Sequence, residues 1–566
     1  MILILLCWFY IFFSSMAFGI ALSKALRISK MEFVTNSIIG LFAITLLTSV
    51  WALFGSINIG FHIILSLLTF LFWWWNKLAF NSAVASTYKE IQSFSIPFRL
   101  LFVGFSILIL AQSATLPFIY DNETYYIQTI KWLNEYGFVN GLGNLHLFLG
   151  QTSGWHITQS VYSFSFLSER FNDLNGFCLL LVNFFAFQKL HSYFKNGNHI
   201  DLLFGLLPFT YAFLFQFISA PSPDFPIYLF AFMIFSMYLQ NSVEGRKTTF
   251  IIITVMALFA FYIKITAVVL LLFPIVLLVK HFHHLKKQII PLTCLGGFVF
   301  LLWVLKNCVL TGYPLFPLLS GRMDDLDYTI PSEIMTFFFS KSMLNSFYIP
   351  NSAYDSASTL GLLKHYFLYN GLASYIGIIS VFVLFITPFV IIKKHLSKSL
   401  WTIYAAFILL VILLCFSSPQ YRFYVYFTLF FLLLILSLWI NNSKWILRFY
   451  TMSLILVGVL ILVPTSFGSM TDNDMLSKNS ILHLKNIIIP EPNTKWQGEF
   501  KKTSIGNMSY HSPKDMSYFW LTGNGELPCV SGVQLEYFQQ GFSFIPQQRS
   551  MDMKDGFFAQ KVSNHE

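Results

Sequence analysis

Apolar positions in this chain come in runs, not in the alternation of an amphipathic strand or the stripe of a surface helix. Runs of about 20 residues, the length that crosses a hydrocarbon core of roughly 30 Å, recur from end to end. They predict spans at 2–22, 34–54, 57–76, 98–117, 174–190, 200–219, 225–241, 248–263, 265–280, 289–311, 371–392, 400–417, 423–440 and 445–465. The pattern is that of an all-α polytopic membrane protein with 12–14 transmembrane helices over residues 1–466. Two long polar stretches, 118–173 and 312–370, interrupt it, and a polar tail, 467–566, follows it. Short apolar runs in the tail, Ile487–Ile489 and Phe542–Ile545, predict a small soluble α/β region with strands.

Composition agrees. The chain is 56% hydrophobic and 11% charged, against about a quarter charged in a soluble domain. The first apolar run has no basic segment before it and no small-residue cleavage site, which predicts a retained span and not a signal peptide. Six scattered cysteines suggest neither a disulfide framework nor a metal cluster.

The net charge of +10 reads as topology once its distribution is seen. Basic residues cluster in alternate loops: Lys24, Arg27 and Lys30; Lys77, Lys89 and Arg99; Lys189 and Lys195; Arg246 and Lys247; Lys280, Lys286 and Lys287; Lys393, Lys394 and Lys398; Lys444 and Arg448. Few acids, Glu244 among them, share those loops. The positive-inside rule makes these loops cytoplasmic and argues against nucleic-acid binding. Both long loops, the turn at 220–224 and the tail then fall on the non-cytoplasmic side, with Asp121, Glu123, Asp224 and Asp355. No GxxxxGK[ST] phosphate loop and no internal repeat is present, so an ATP-driven pump and an inverted-repeat transporter are disfavoured.

Three groups of residues can carry chemistry. Asp121-Asn-Glu123 follows Pro117 at the start of the first long loop. Asp121 suits an N-cap, and Tyr126, Ile127, Ile130 and Leu133 form an apolar stripe, as in a helix lying on the membrane surface. The functional alternative is a general base or metal ligand, since a carboxylate beside apolar lipid has a raised pKa. The turn Ser219-Ala-Pro-Ser-Pro-Asp224-Phe-Pro holds a second carboxylate at the membrane boundary, where ionisable groups are functional candidates. Lys264, Lys306 and Arg422 lie at outer span ends. They either snorkel or bind phosphate, for which Arg offers a planar fork. His146 and His156 share the outer loop with Asp121 and are candidate ligands or acid/base groups, though a lone His is as often structural. His281, His283 and His284 lie among lysines and read as a solvated loop.

These features resemble the GT-C class of polytopic glycosyltransferases. Three segments resemble more closely an uncharacterised family of bacterial multi-spanning envelope proteins: YDNETYYIQTIKWLNEYGFVNGLGNLHLFLGQTSGW, the turn Pro221-Ser-Pro-Asp224, and LTGYPLFP at Leu310–Pro317. The first matches that family's pattern at Asp121, Tyr125, Trp132, Glu135, Tyr136, Gly141, Leu142, Asn144, Leu145 and His146, with Tyr126 standing where the family usually has His. The GT-C resemblance implies sugar transfer, in the bacterial inner membrane, from a polyprenyl-phosphate-linked donor to an envelope glycan, lipid or protein acceptor on the periplasmic side. In that scheme Asp121 is the base, with Glu123 and Asp224 as further catalytic carboxylates. Lys306, Arg422, Lys264, His146 and His156 bind substrate, and Asp121 with Asp224 holds Mg²⁺ or Mn²⁺ if a metal is used. The alternatives are a polysaccharide polymerase or ligase, a transporter or flippase of lipid-linked saccharides, and a non-catalytic assembly protein.

Overall fold

Long apolar segments with every backbone group hydrogen-bonded internally are the only open-chain way through a bilayer, and helices dominate this chain. The computed structural model describes residues 1–28, 32–240, 246–345, 358–368, 371–440, 442–468, 477–515 and 518–562. Lys30, Glu244 and Asp355, named above, lie outside them.

Among the described residues, nine helices are long and apolar enough to cross a membrane: Ile2–Ala25, Phe33–Ala52, Ile59–Ser93, Ile96–Ser113, the broken segment His199–Phe217, Arg246–Ile263, Phe282–Thr311, Leu372–Lys393 and Ser443–Leu462. Four further apolar helices are shorter: Asp224–Leu239, Ile265–Lys280, Ser399–Cys415 and Val425–Trp439. The expected span at 174–190 is the helix Leu174–Asn196. The protein is a multi-pass membrane protein.

The first two helices pack through glycine. A Cβ at Gly19 would fall 1.9 Å from the Asn36 carbonyl oxygen, and one at Gly40 would fall 1.6 Å from that of Ser15. Small residues let backbones approach where lipid gives no hydrophobic drive. The helix Ile59–Ser93 kinks at Asn76 (φ −120°, ψ 16°), beyond which most side chains are exposed.

The long loops and the tail gather at one end of the bundle, called the loop face below. The tail carries two antiparallel hairpins. β1 (Phe500–Ile505) pairs with β2 (Met508–Pro513) in the register Phe500↔Pro513 to Ile505↔Met508. β3 (Phe544–Gln548) pairs with β4 (Phe557–Lys561), Phe544 opposite Lys561. The run Phe542–Ile545 thus leads into a strand as its pattern suggested. Ile487 instead closes a 3₁₀ turn, and Ile488 and Ile489 are exposed. The tail docks on the first long loop: the Phe557 amide donates to the Asn140 carbonyl at 2.9 Å, and the Gln534 side chain donates to Leu145.

That docking overturns one expectation. The segment after Asp121 is not a helix lying on a membrane surface. Asn122–Tyr126 form a π-helical turn that runs into the helix Ile127–Glu135. Both the apolar stripe and the opposite face, with Gln128 and Thr129, are buried. The polar face is satisfied by the tail: Gln128 donates to the Gly525 carbonyl at 2.9 Å, and Lys131 donates to those of Asn524 and Gly525 at 3.2 Å. Covering a polar helix face costs little once each donor has found an acceptor.

Candidate functional site

Asp121, Asp224, Lys264 and Arg422 meet at the loop face. Each comes from a place where the backbone leaves regular helix. Asp121 precedes the π-helical turn, and Asp224 opens the helix Asp224–Leu239 after a proline-rich turn. Lys264 occupies an extended break (φ −154°, ψ 129°) between Ile263 and the 3₁₀ run Ile265–Leu271. Arg422 is the middle residue of the single turn Tyr421–Phe423.

The four side chains interlock. Arg422 Nη1 donates to Asp121 Oδ2, and Lys264 Nζ donates to Asp224 Oδ1. Arg422 Nε lies 3.9 Å from Asp224 Oδ2, which closes the chain of charges. The same Nε donates to Gln420 Oε1 at 2.7 Å, and the Arg422 carbonyl accepts from the Tyr228 hydroxyl at 2.7 Å. Lys264 stands over the Phe423 ring, 4.0 Å from its centroid, in cation–π contact. Asp224 is 3% exposed at its side chain and Asp121 20%. Among the described residues, none donates a hydrogen bond to Asp224 Oδ2.

Asp121 does not cap the segment that follows it; its carboxylate is turned to Arg422. The Tyr126 hydroxyl donates to the same Oδ2 at 3.4 Å. A π-turn places residues five apart on one side, so Tyr126 rises over Asp121. A 3.6-residue period could not show this, and Tyr126 read as part of an apolar stripe. Gln420 and Tyr228 carried no sequence signal either, because they act only through Arg422.

His156 and Lys306 stand beside this quartet. His156 is fully buried, with its ring 4.7 Å from that of Tyr126. Burial and the Lys306 charge push its pKa down to about 3. Lys306 is 4% exposed and donates to the Thr152 carbonyl.

His146 and Glu123 are not brought to the quartet. His146 Nδ1 accepts the Phe148 amide at 3.3 Å, and Nε2 lies 3.4 Å from the Trp520 carbonyl. Nδ1 thus closes a local turn of the loop, Nε2 faces the tail, and burial lowers the pKa to about 4. Glu123 is 2% exposed. Its carboxylate accepts from Asn122 Nδ2 at 3.0 Å, Thr494 Oγ1 at 2.6 Å and the Lys495 amide at 2.8 Å. Its carbonyl accepts the Thr522 and Gly523 amides at 3.0 and 2.7 Å. Burial raises its pKa, opposed by those hydrogen bonds. Glu123 is a tether for the tail, two residues from Asp121.

The two carboxylates expected to hold a divalent cation, Asp121 and Asp224, face basic side chains here. Asp121 and Asp224 are each engaged by a cation, and no three of His, Cys, Asp and Glu come together among the described residues. Of the triple-histidine run, His283 and His284 are exposed, but they lie on the short helix Phe282–Leu285 at the start of the segment Phe282–Thr311 and not in a loop. All six cysteines are free thiols.

No curated protein and no solved structure matches the chain. A family profile does match, over residues 1–429. That stretch holds every member of the quartet, His156 and Lys306, and stops short of the tail. The chain belongs to the family described as a domain of unknown function, DUF8201.

Proposed function

We propose that the protein is a membrane glycosyltransferase of GT-C type, moving a sugar from a polyprenyl-phosphate-linked donor to an envelope acceptor on the periplasmic face of a bacterial inner membrane. The observation that carries this reading is the quartet: two carboxylates and two cations at the loop end of an apolar bundle. There a lipid tail can lie among helices while a polar headgroup meets the loops. The alternation of basic loops favours the periplasmic side for the loop face.

In this reading Asp121 is the base, being the more exposed of the two carboxylates. The acceptor oxygen bonds to the anomeric carbon as that carbon's bond to the donor phosphate oxygen breaks. The hydroxyl proton passes to Asp121, and the bonding electrons leave with the lipid phosphate. Arg422 and Tyr126 fix the Asp121 carboxylate before reaction, and preorganised charge of this kind is where catalysis gains most. Asp224 holds Lys264 in place and offers its free Oδ2 to a substrate hydroxyl. No step runs through a metal.

The test is chemical analysis of envelope glycans and lipid-linked intermediates in a deletion strain complemented with wild type or Asp121→Asn. Accumulated polyprenyl-phosphate sugar with a glycan one residue short supports transfer. A complete lipid-linked unit held on the inner leaflet points to a flippase. Full activity of Asp121→Asn removes Asp121 as the base.

A further inference from the structure

Among the described residues, two donors beside the quartet are under-used: Lys306 has one hydrogen bond and no counter-charge, and His156 Nε2 has no partner. Lys306 carries three N–H groups; one meets the Thr152 carbonyl. Among the described residues no carboxylate lies within ion-pair distance of it, unlike Lys264 and Arg422. His156 accepts the Ser153 amide on Nδ1 at 3.4 Å, so Nδ1 is the bare nitrogen and the proton resides on Nε2. That N–H is buried and, among the described residues, has no acceptor.

One peptide unit fixes both groups. The carbonyl of the Thr152–Ser153 peptide holds Lys306 and its amide holds His156. Ser153 is itself anchored, its hydroxyl donating to the Ile263 carbonyl at 2.7 Å and accepting the Trp155 amide at 3.0 Å. Neither donor is free to swing out to water. A buried amine without a counter-charge and a buried N–H without an acceptor each cost free energy, and such groups in a native protein call for a partner.

We propose that Lys306 and His156 form a seat for the oxyanion of a phosphate ester, distinct from the ion-paired quartet. A tetrahedral phosphate offers several acceptor oxygens, enough to meet two donors that one peptide unit holds apart. It also supplies the negative charge that Lys306 lacks. Approach is from the quartet side, where Asp121, Lys264 and Arg422 keep 20%, 21% and 28% of their side-chain surface exposed. Arg422 differs from Lys306 in that its charge is already met, by Asp121 and by Asp224, and two of its five N–H donors are taken by Asp121 and Gln420. Protonation of His156 is not needed: it is neutral at pH 7 and acts as a donor. The seat stands on these contacts alone and holds whether the protein transfers a sugar or moves a lipid-linked one.

The test uses full-length protein purified in detergent, with farnesyl phosphate, inorganic phosphate and farnesol as probes and binding read by calorimetry and by thermal shift. Farnesyl phosphate is expected to bind and raise the melting temperature, and farnesol to do neither. Lys306→Met is expected to weaken farnesyl phosphate binding at least tenfold and His156→Phe at least threefold. Lys306→Met without ligand should melt no lower than wild type, since the buried amine it replaces has a single hydrogen bond and no counter-charge, so loss of binding will not reflect unfolding. Should His156→Phe fail to fold, His156→Gln replaces it. Inorganic phosphate binding as tightly as the lipid form keeps the seat but makes its ligand a free phosphate. Equal response to farnesol and farnesyl phosphate, no response to either phosphate, or unchanged binding in Lys306→Met overturns the proposal. Glycan analysis of the Asp121→Asn strain is a separate readout, so failure here leaves the transfer reading to stand or fall alone.

Discussion

Asp121 and Arg422 are 301 residues apart in the chain, and the arginine's Nη1 donates to the carboxylate's Oδ2. The pair joins the first long loop to the last turn of the matched region, so its loss should be felt in both chemistry and stability. Asp121→Asn is expected to lower transfer about 10²–10⁴-fold, the usual worth of a positioned base. Arg422→Gln should destabilise by about 1–3 kcal/mol, the cost of leaving a desolvated partner unmet. A double-mutant cycle of the two, followed by thermal unfolding, should show clear coupling; strict additivity would mean the contact is not formed in solution.

Asp224 and Lys264 make a more buried pair, with Asp224 at 3% exposure. Removing one partner strands the other, so Asp224→Leu is expected to cost about 3–5 kcal/mol. The double variant Asp224→Leu/Lys264→Met should recover much of that, because no charge is left behind. The comparison is of melting temperatures, and a double variant no more stable than Asp224→Leu would contradict this account.

Glu123 links the tail to the loop through Asn122, Thr494 and the Lys495 amide. Glu123→Ala takes the acceptor from the Lys495 amide, leaves the Asn122 and Thr494 donors only their bonds to the Asn493 and Trp496 carbonyls, and should loosen the tail by about 1–3 kcal/mol. Limited trypsin digestion is expected to cut at Lys495, Lys501 and Lys502 at least tenfold faster than in wild type. Digestion at the wild-type rate would show that Glu123 is not the tether.

His146 makes stability depend on pH in a defined direction. Its folded pKa is about 4, below the ordinary value near 6.5. As pH falls, the unfolded chain takes up this proton first, so stability is full above about pH 6.5 and is lost toward pH 4. The slope is about 1.4 kcal/mol per pH unit. His146→Gln lacks this proton, so its melting temperature should fall less between pH 7 and pH 5 than that of wild type. Equal falls would place an ionised His146 in the folded state.

Much of the architecture is legible in the residues alone. Apolar runs near 20 residues cross a bilayer whatever their neighbours, and a chain so poor in charge has no other stable arrangement. The candidate carboxylates and cations were legible for the same reason: ionic groups are costly at span ends, so the few present stand out. Which of them meet was not legible. Nothing in the sequence pairs Asp121 with Arg422 or withholds a carboxylate from Lys306, because such contacts depend on where helices far apart in the chain come to rest.

Glu123 and His146 show the converse. Two residues from Asp121, Glu123 was expected as a further catalytic carboxylate, yet the π-helical turn directs Asp121 to Arg422 while Glu123 is held by the tail. His146 looked like a ligand until Phe148 and Trp520 took its nitrogens. The sequence by itself determined a multi-pass helical bundle with its scarce charges at span ends, since burial in lipid is a property of each segment alone. Only the tertiary structure decided which charges are neutralised by a partner and which are left for a ligand, because that depends on distances of a few ångströms between segments the chain does not order.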